Sequence, residues 1–149
     1  MNQLIQSLVE RSRKAQQVLC TYDQEKTDAI VRMFAKVIFD NAEPLAKLAV
    51  EESRMGVYED KVTKNKGKSR IIWNALKGKK SIGMIGRDEE AGLIEVAKPM
   101  GVIAAATPCT NPIVTPMCNA MYAVKCQNTI IIAPHPRSKR CAMAVAELY

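Results

Sequence analysis

Histidine is almost absent from this chain: His135 is the only one among 149 residues. The five cysteines, Cys20, Cys109, Cys118, Cys126 and Cys141, form no CxxC pair, so no cluster has the spacing of a structural zinc site and no metal is expected. Their odd number argues against a closed disulfide framework, and reduced thiols are expected. No uninterrupted apolar stretch is long enough to cross a bilayer, and the first ten residues lack the charged-then-apolar layout of a secretory signal. A cytoplasmic protein with no membrane partner is expected. Gly83 and Gly86 do not complete a G-x-G-x-x-G fingerprint, and no P-loop is present.

Acidic residues are missing from positions 61–80, which hold eight basic ones out of a total that leaves the chain at +7. On a helix, Lys61, Lys64 and Lys68 would share a face that could follow phosphates, so a non-catalytic basic binding or assembly module is the alternative reading. Trp73 is the only aromatic residue there, which leaves no stacking platform. A solvated helix face is preferred, and no nucleic-acid partner is expected.

What is present is an ordinary globular composition, 48% hydrophobic and 25% charged, of a length that suits one domain. Apolar residues recur at helical spacing from Leu4 to Leu19, and again at Ala29, Ile30, Met33, Phe34, Val37 and Ile38 after a Thr21-Tyr-Asp-Gln24 capping box. Asn41 is placed to cap a third helix with Pro44 in its first turn and Gly56 at its end, and 57–76 predicts a fourth, weakened at Gly67. Two β-prone runs, 81–87 and 93–99, flank a polar turn and predict an antiparallel hairpin, too small to stand alone.

The run 102–106 shows no alternation and predicts a strand covered on both faces, ending in the polar turn Thr107-Pro-Cys-Thr-Asn-Pro112. A helix over 113–125, a strand over 129–133 and a helix over 138–149 would complete a parallel β-α-β-α unit. The fold expected is therefore α/β: amino-terminal helices, a hairpin, then the start of a doubly wound, Rossmann-like parallel sheet. Two such strands do not close a domain, and the last residues carry none of the usual signs of a finishing helix. The chain is expected to be the amino-terminal part of a longer protein. At the strand's carboxyl end, where open sheets place ligands, Asn111 is either a cap of the next helix or a donor to negative charge. Cys109 beside it has no acid-base partner evident in the sequence.

Gly101-Val-Ile, the Pro108-x-Thr-Asn-Pro112 turn, Asn119, Lys125, Asn128-Thr-Ile-Ile-Ile and Pro134-His-Pro-Arg137 together resemble the CoA-acylating branch of the aldehyde dehydrogenase superfamily. Upstream, Glu51-Glu-Ser-Arg-Met-Gly56, Tyr58-Glu-Asp-Lys61, Lys64-Asn65 and Ile85-Gly-Arg-Asp-Glu-Glu90 extend the likeness. The resemblance implies that a cysteine thiolate attacks an aldehyde, that hydride passes to NAD or NADP, and that coenzyme A removes the acyl group. It implies Asn111 as oxyanion support, Thr107, Pro108 and Thr110 along the nicotinamide, and His135 and Arg137 near the adenosine ribose. The nucleophilic cysteine matches none of the five here, so the catalytic domain is absent and the chain by itself is expected to be inactive. In these terms 1–80 is the helical part of the cofactor domain, 81–99 an oligomerisation hairpin that makes a homo-oligomer, and 100–149 the first strands of the NAD(P) sheet. The partners implied are coenzyme A and a small aldehyde such as acetaldehyde or sulfoacetaldehyde.

Overall fold

In a computed structural model that describes residues 3–149, four helices come first: α1 (Gln3–Leu19), α2 (Gln24–Asp40), α3 (Ala42–Ser53) and α4 (Tyr58–Leu76). The first two positions of the helical stretch 1–80 lie outside the described residues. The ends of these helices differ from those the sequence predicts. Asp23, not Thr21, caps α2, accepting from the Lys26 amide at 2.8 Å, because the Thr21 hydroxyl turns back to donate to the Val18 carbonyl. Asn41 likewise reaches back to the Val37 carbonyl and leaves α3 without a side-chain cap. Helix α3 stops at Arg54, which takes the left-handed conformation, two residues before Gly56. Helix α4 runs unbroken through Gly67.

The inward stripe of α2 is Thr27, Val31, Phe34, Ala35 and Ile38, so Ala29 and Met33 face outward. Against it pack α4 and the later helix α5 (Val114–Lys125), with Val31, Ile38, Met117 and Met121 fully buried. Each such side chain contributes about 1.5–3 kcal/mol through the water it leaves. Helix α1 is less committed to this core: it buries Leu19 and leaves Leu4, Ile5 and Val18 exposed.

Strands β1 (Gly83–Asp88) and β2 (Leu93–Ala97) form the antiparallel hairpin, with a bulge between Met84 and Gly86. Asp88 Oδ1 accepts from the Ala91 amide at 2.9 Å, and Gly92 closes the turn at φ +64°, a conformation that suits glycine. Met84, Ile85, Leu93, Ile94 and Val96 remain exposed on it.

Strands β3 (Val102–Thr107) and β4 (Thr129–Pro134) pair in parallel, joined through α5, in register from Val102 with Thr129 to Thr107 with Pro134. After β4, a 3-10 turn (Pro136–Ser138) leads into α6 (Lys139–Glu147). Asn128 locks the two strand starts together, its Oδ1 accepting from the amides of Met100 and Gly101 at 2.6 and 2.8 Å. The expectation of a strand covered on both faces is corrected, since Ala104 and Ala106 are exposed and the other residues of 102–106 only half-buried. The sheet has two strands among the described residues, and its outer edges are unpaired.

Candidate functional site

Parallel pairing brings the carboxyl ends of β3 and β4 side by side, so the turns 107–112 and 134–137 meet at one edge of the sheet. Their link is a backbone hydrogen bond from the His135 amide to the Thr107 carbonyl at 3.0 Å. Thr107 is buried, and its hydroxyl has no hydrogen-bond partner. A buried hydroxyl left unpaired costs about 1–3 kcal/mol, so this oxygen is available to a hydrogen-bonding group at the turn. Pro108 and Thr110 are exposed, while Cys109 and Asn111 are half-buried.

Asn111 does not cap α5, whose N-cap is Ile113 without a side-chain bond. Its side-chain oxygen instead accepts from Lys64 Nζ at 3.1 Å. An ammonium has only donors, so this contact decides which end of the carboxamide faces α4: the oxygen does, and the NH2 makes no bond within the described residues. One turn earlier on α4, Lys61 donates to the Thr110 carbonyl at 3.3 Å. Burial, and then the like charge of Lys64, pull the Lys61 ammonium below its usual pKa. The solvated lysine face expected from the sequence holds for Lys64 and Lys68, which are exposed, and is corrected for Lys61. Lys61 is buried, Lys64 is bonded to the turn and Lys66 pairs with Glu43 at 3.0 Å. Gly56, at φ +81°, makes room for Lys61, because a Cβ there would lie 3.0 Å from its Cε.

The second turn is held by helix ends. His135 Nδ1 accepts from the Arg137 amide at 3.1 Å, and the Arg137 guanidinium donates to the Ser53 carbonyl at 2.6 Å, a cation at the carboxyl end of α3. The Glu52 carboxylate accepts from the amides of Arg140 and Cys141 at 2.7 and 2.8 Å, capping α6 from another helix. Burial alone would raise this carboxyl, but the hydrogen bonds from the Cys141 thiol and the two amides outweigh it and hold it below its usual range. The Cys141 thiol is pushed up to about 12, first by burial and then by Glu52. Cys141 is fully buried, and Cys109 has its sulfur 3.7 Å from that of Met55 and within electrostatic reach of the Lys61 ammonium.

A group whose pKa is lowered on folding stabilises the protein above its unfolded pKa and loses that effect as the pH falls through the folded one. Glu52→Gln is therefore expected to cost about 1 kcal/mol at neutral pH, the size of a helix cap. The difference from wild type should vanish as the pH drops below about 4, the ordinary carboxylate range. Urea denaturation of the two proteins at a series of pH values checks this, and a difference that grows in acid would contradict it.

Sequence reasoning brought out both turns but did not connect Lys61, Lys64 or Glu52 to them. The i, i+3 spacing of the two lysines marks a shared face, and only the packing of α4 on the turn shows where that face points. Between α4 and α5, beginning at Asn111, lies a groove of about 540 Å³ that includes Lys64, Lys68, Ile71 and Tyr122.

Residues 2–149 match the aldehyde dehydrogenase family. The chain is 54% identical over 144 residues to the succinate-semialdehyde dehydrogenase (acetylating) of Clostridium kluyveri, covering 97% of this chain and 32% of that one. It superposes on an acetylating aldehyde dehydrogenase from Geobacillus thermoglucosidasius with a TM-score of 0.94 at 36% identity, covering 98% of this chain and 32% of the other. An engineered glycolyl-CoA reductase with bound NADP+ superposes at 0.78 with 29% identity, over 96% of this chain and 32% of that one. The chain thus spans about a third of the length of these relatives.

Proposed function

The chain belongs to the aldehyde dehydrogenase family, and from that premise we propose that it is the amino-terminal third of an NAD(P)-dependent, CoA-acylating enzyme that oxidises a short aldehyde. The observation that carries this reading is the Asn111 carboxamide at the end of β3, its oxygen engaged by Lys64 and its NH2 free. When a thiolate from outside these residues attacks an aldehyde carbonyl, the oxygen becomes negative. A preset donor at that oxygen stabilises the transition state more than the neutral substrate. The Lys64 cation behind the amide polarises its N–H bonds in the same direction. Lys61, on the Thr110 carbonyl, holds the turn against α4.

When bound, NAD(P)+ supplies the hydride acceptor. Thr107, Pro108 and Thr110 would line its nicotinamide end, and His135 with Arg137 its adenosine ribose. The fit is supported by the unpartnered Thr107 hydroxyl and by the link that holds the two turns together. Residues 133–137 contain no lysine to hold a ribose, which favours the acylating branch and is compatible with NAD or NADP. Coenzyme A is the acceptor that takes the acyl group from the thiol. Residues 1–80 and 100–149 are assigned to the cofactor-binding domain. The hairpin 81–99, with its exposed Leu93 and Ile94, is assigned to contact between protomers.

The full-length protein, given a short aldehyde, NAD+ or NADP+ and coenzyme A, is expected to reduce the nicotinamide and release acyl-CoA. Reduction that proceeds equally well without coenzyme A and yields the free acid would overturn the acylating assignment. In light scattering the same preparation should run as an oligomer that dissociates when Leu93 and Ile94 are both replaced by aspartate; an unchanged mass would remove the hairpin from the interface.

A further inference from the structure

In the stretch 52–56, where α3 ends and the chain turns toward α4, successive residues hold different parts of the two turns. The Glu52 carboxylate accepts from two amides in the first turn of α6, which fixes the far side of the 134–137 turn. The Ser53 carbonyl accepts from the Arg137 guanidinium at 2.6 Å. Met55 places its sulfur 3.7 Å from that of Cys109. Gly56, having no side chain, leaves the space through which Lys61 reaches the Thr110 carbonyl. One short stretch therefore holds the 134–137 turn at its start and the 107–112 turn at its end.

The stretch is itself held in one shape. Ser53 is fully buried, and its hydroxyl donates to the Ala49 carbonyl at 2.5 Å while accepting from the Met55 amide at 3.2 Å. Between them Arg54 lies at φ +54°, a left-handed conformation that a residue with a Cβ keeps only where its neighbours impose it. The Arg54 amide still donates to the Val50 carbonyl at 2.9 Å, so the reversal starts directly on the rigid helix. It ties the two turns together a second time, beyond the link from the His135 amide to the Thr107 carbonyl.

We infer that 52–56 is a positioning clamp, in which the reversal at Ser53 sets the spacing of the two turns and so aligns the nicotinamide half of NAD(P)+ with Asn111 once the adenosine half is seated. The inference rests on the cofactor reading proposed above. The clamp residues act through Arg137, Cys109 and Thr110 and need not touch the cofactor. A dinucleotide spans both turns, so its affinity gains from a spacing already fixed by folding. An adenosine fragment meets one turn alone and is indifferent to that spacing.

Titration calorimetry on the full-length enzyme with NAD+, NADP+ and ADP, comparing wild type with Ser53→Ala, tests this. The variant keeps the backbone carbonyl that Arg137 uses and removes the hydroxyl that captures the Met55 amide. Affinity for the preferred dinucleotide should fall roughly 3- to 10-fold, the worth of one hydrogen bond, while affinity for ADP stays as it is. In steady-state assays kcat/KM should fall by up to about 100-fold, the cost of a misplacement made at a distance from the chemistry. Gly56→Ala, strained at φ +81° and with its Cβ 3.0 Å from Lys61 Cε, should act in the same direction. A merely structural role would lower the number of binding sites per protein and leave the affinities of the folded fraction intact. That result, or equal losses for ADP and the dinucleotide, overturns the inference and leaves the proposed reaction standing. A wild-type enzyme that fails to bind either dinucleotide, or fails to bind ADP, overturns the cofactor assignment of the turns and the clamp with it.

Discussion

Asn111→Ala in the full-length enzyme is expected to lower kcat by about 100- to 1,000-fold, the range found when a preset oxyanion donor is removed. The protein should still fold, because the side chain of Asn111 bonds only to Lys64, and its backbone carbonyl, which accepts from the Thr115 amide at 3.2 Å, is retained. KM for the aldehyde should change little, since the neutral carbonyl gains far less from the donor than the developing oxyanion does. Asn111→Asp should do at least as badly, because it replaces the donor with a second anion facing the charge that must be stabilised. Lys64→Met should fall between wild type and Asn111→Ala: the amide survives but loses the contact that orients its NH2. Steady-state kinetics on the three variants distinguish this from a structural role, which would lower activity through the amount of folded enzyme and leave the kcat of the folded fraction intact.

The largest expected effect on stability comes from the opposite end of α5. There Lys125 is buried, with 3% of its side chain exposed, and its ammonium lies 2.5 Å from Asp28 on α2. Asp28 also accepts from Gln24 Nε2 at 2.9 Å, so the carboxylate is shared between its own helix and its neighbour. Asp28→Ala leaves a buried ammonium without its counter-ion, a change that costs about 3–5 kcal/mol. The position of Lys125 in the last turn of α5, near carbonyls that favour a cation, argues for the lower part of that range. Replacing both partners, Asp28→Leu with Lys125→Met, should recover much of the loss, because no uncompensated charge remains. Urea denaturation of the single and double variants measures the coupling, and additive losses would show that the pair does not act as a unit. Because α5 begins just beyond the Asn111 turn, loosening its far end should also lower activity.

Much of this fold is readable one element at a time. The spacing of Phe34 and Ile38 requires a helix with one buried face, and the small and β-branched run 102–106 requires a strand. The polar turn after it must come at that strand's carboxyl end. The parallel order follows from the single helix between two short strands, and the family likeness follows from motifs spread along the chain. These features depend on periodicity and on neighbours a few residues away, which the sequence displays directly.

Tertiary structure decided the rest, because it depends on groups far apart in the chain. Gln127 holds a left-handed conformation, φ +57°, that the sequence would assign to glycine, and it does so while its side chain donates to the carbonyls of Leu19 and Tyr22, more than a hundred residues away. Thr21 and Asn41 look like caps but turn to carbonyls behind them, since a nearby acceptor competes with the helix amide for the same short polar side chain. Lys61 looks like a solvent-facing charge, and the packing of α4 on the 107–112 turn buries it there, while Lys64 stays exposed and bonds to the turn from outside. Composition and spacing determined the elements and the place of the turn. Which way the Asn111 amide faces was decided by a lysine 47 residues earlier, because an ammonium can bond only to its oxygen.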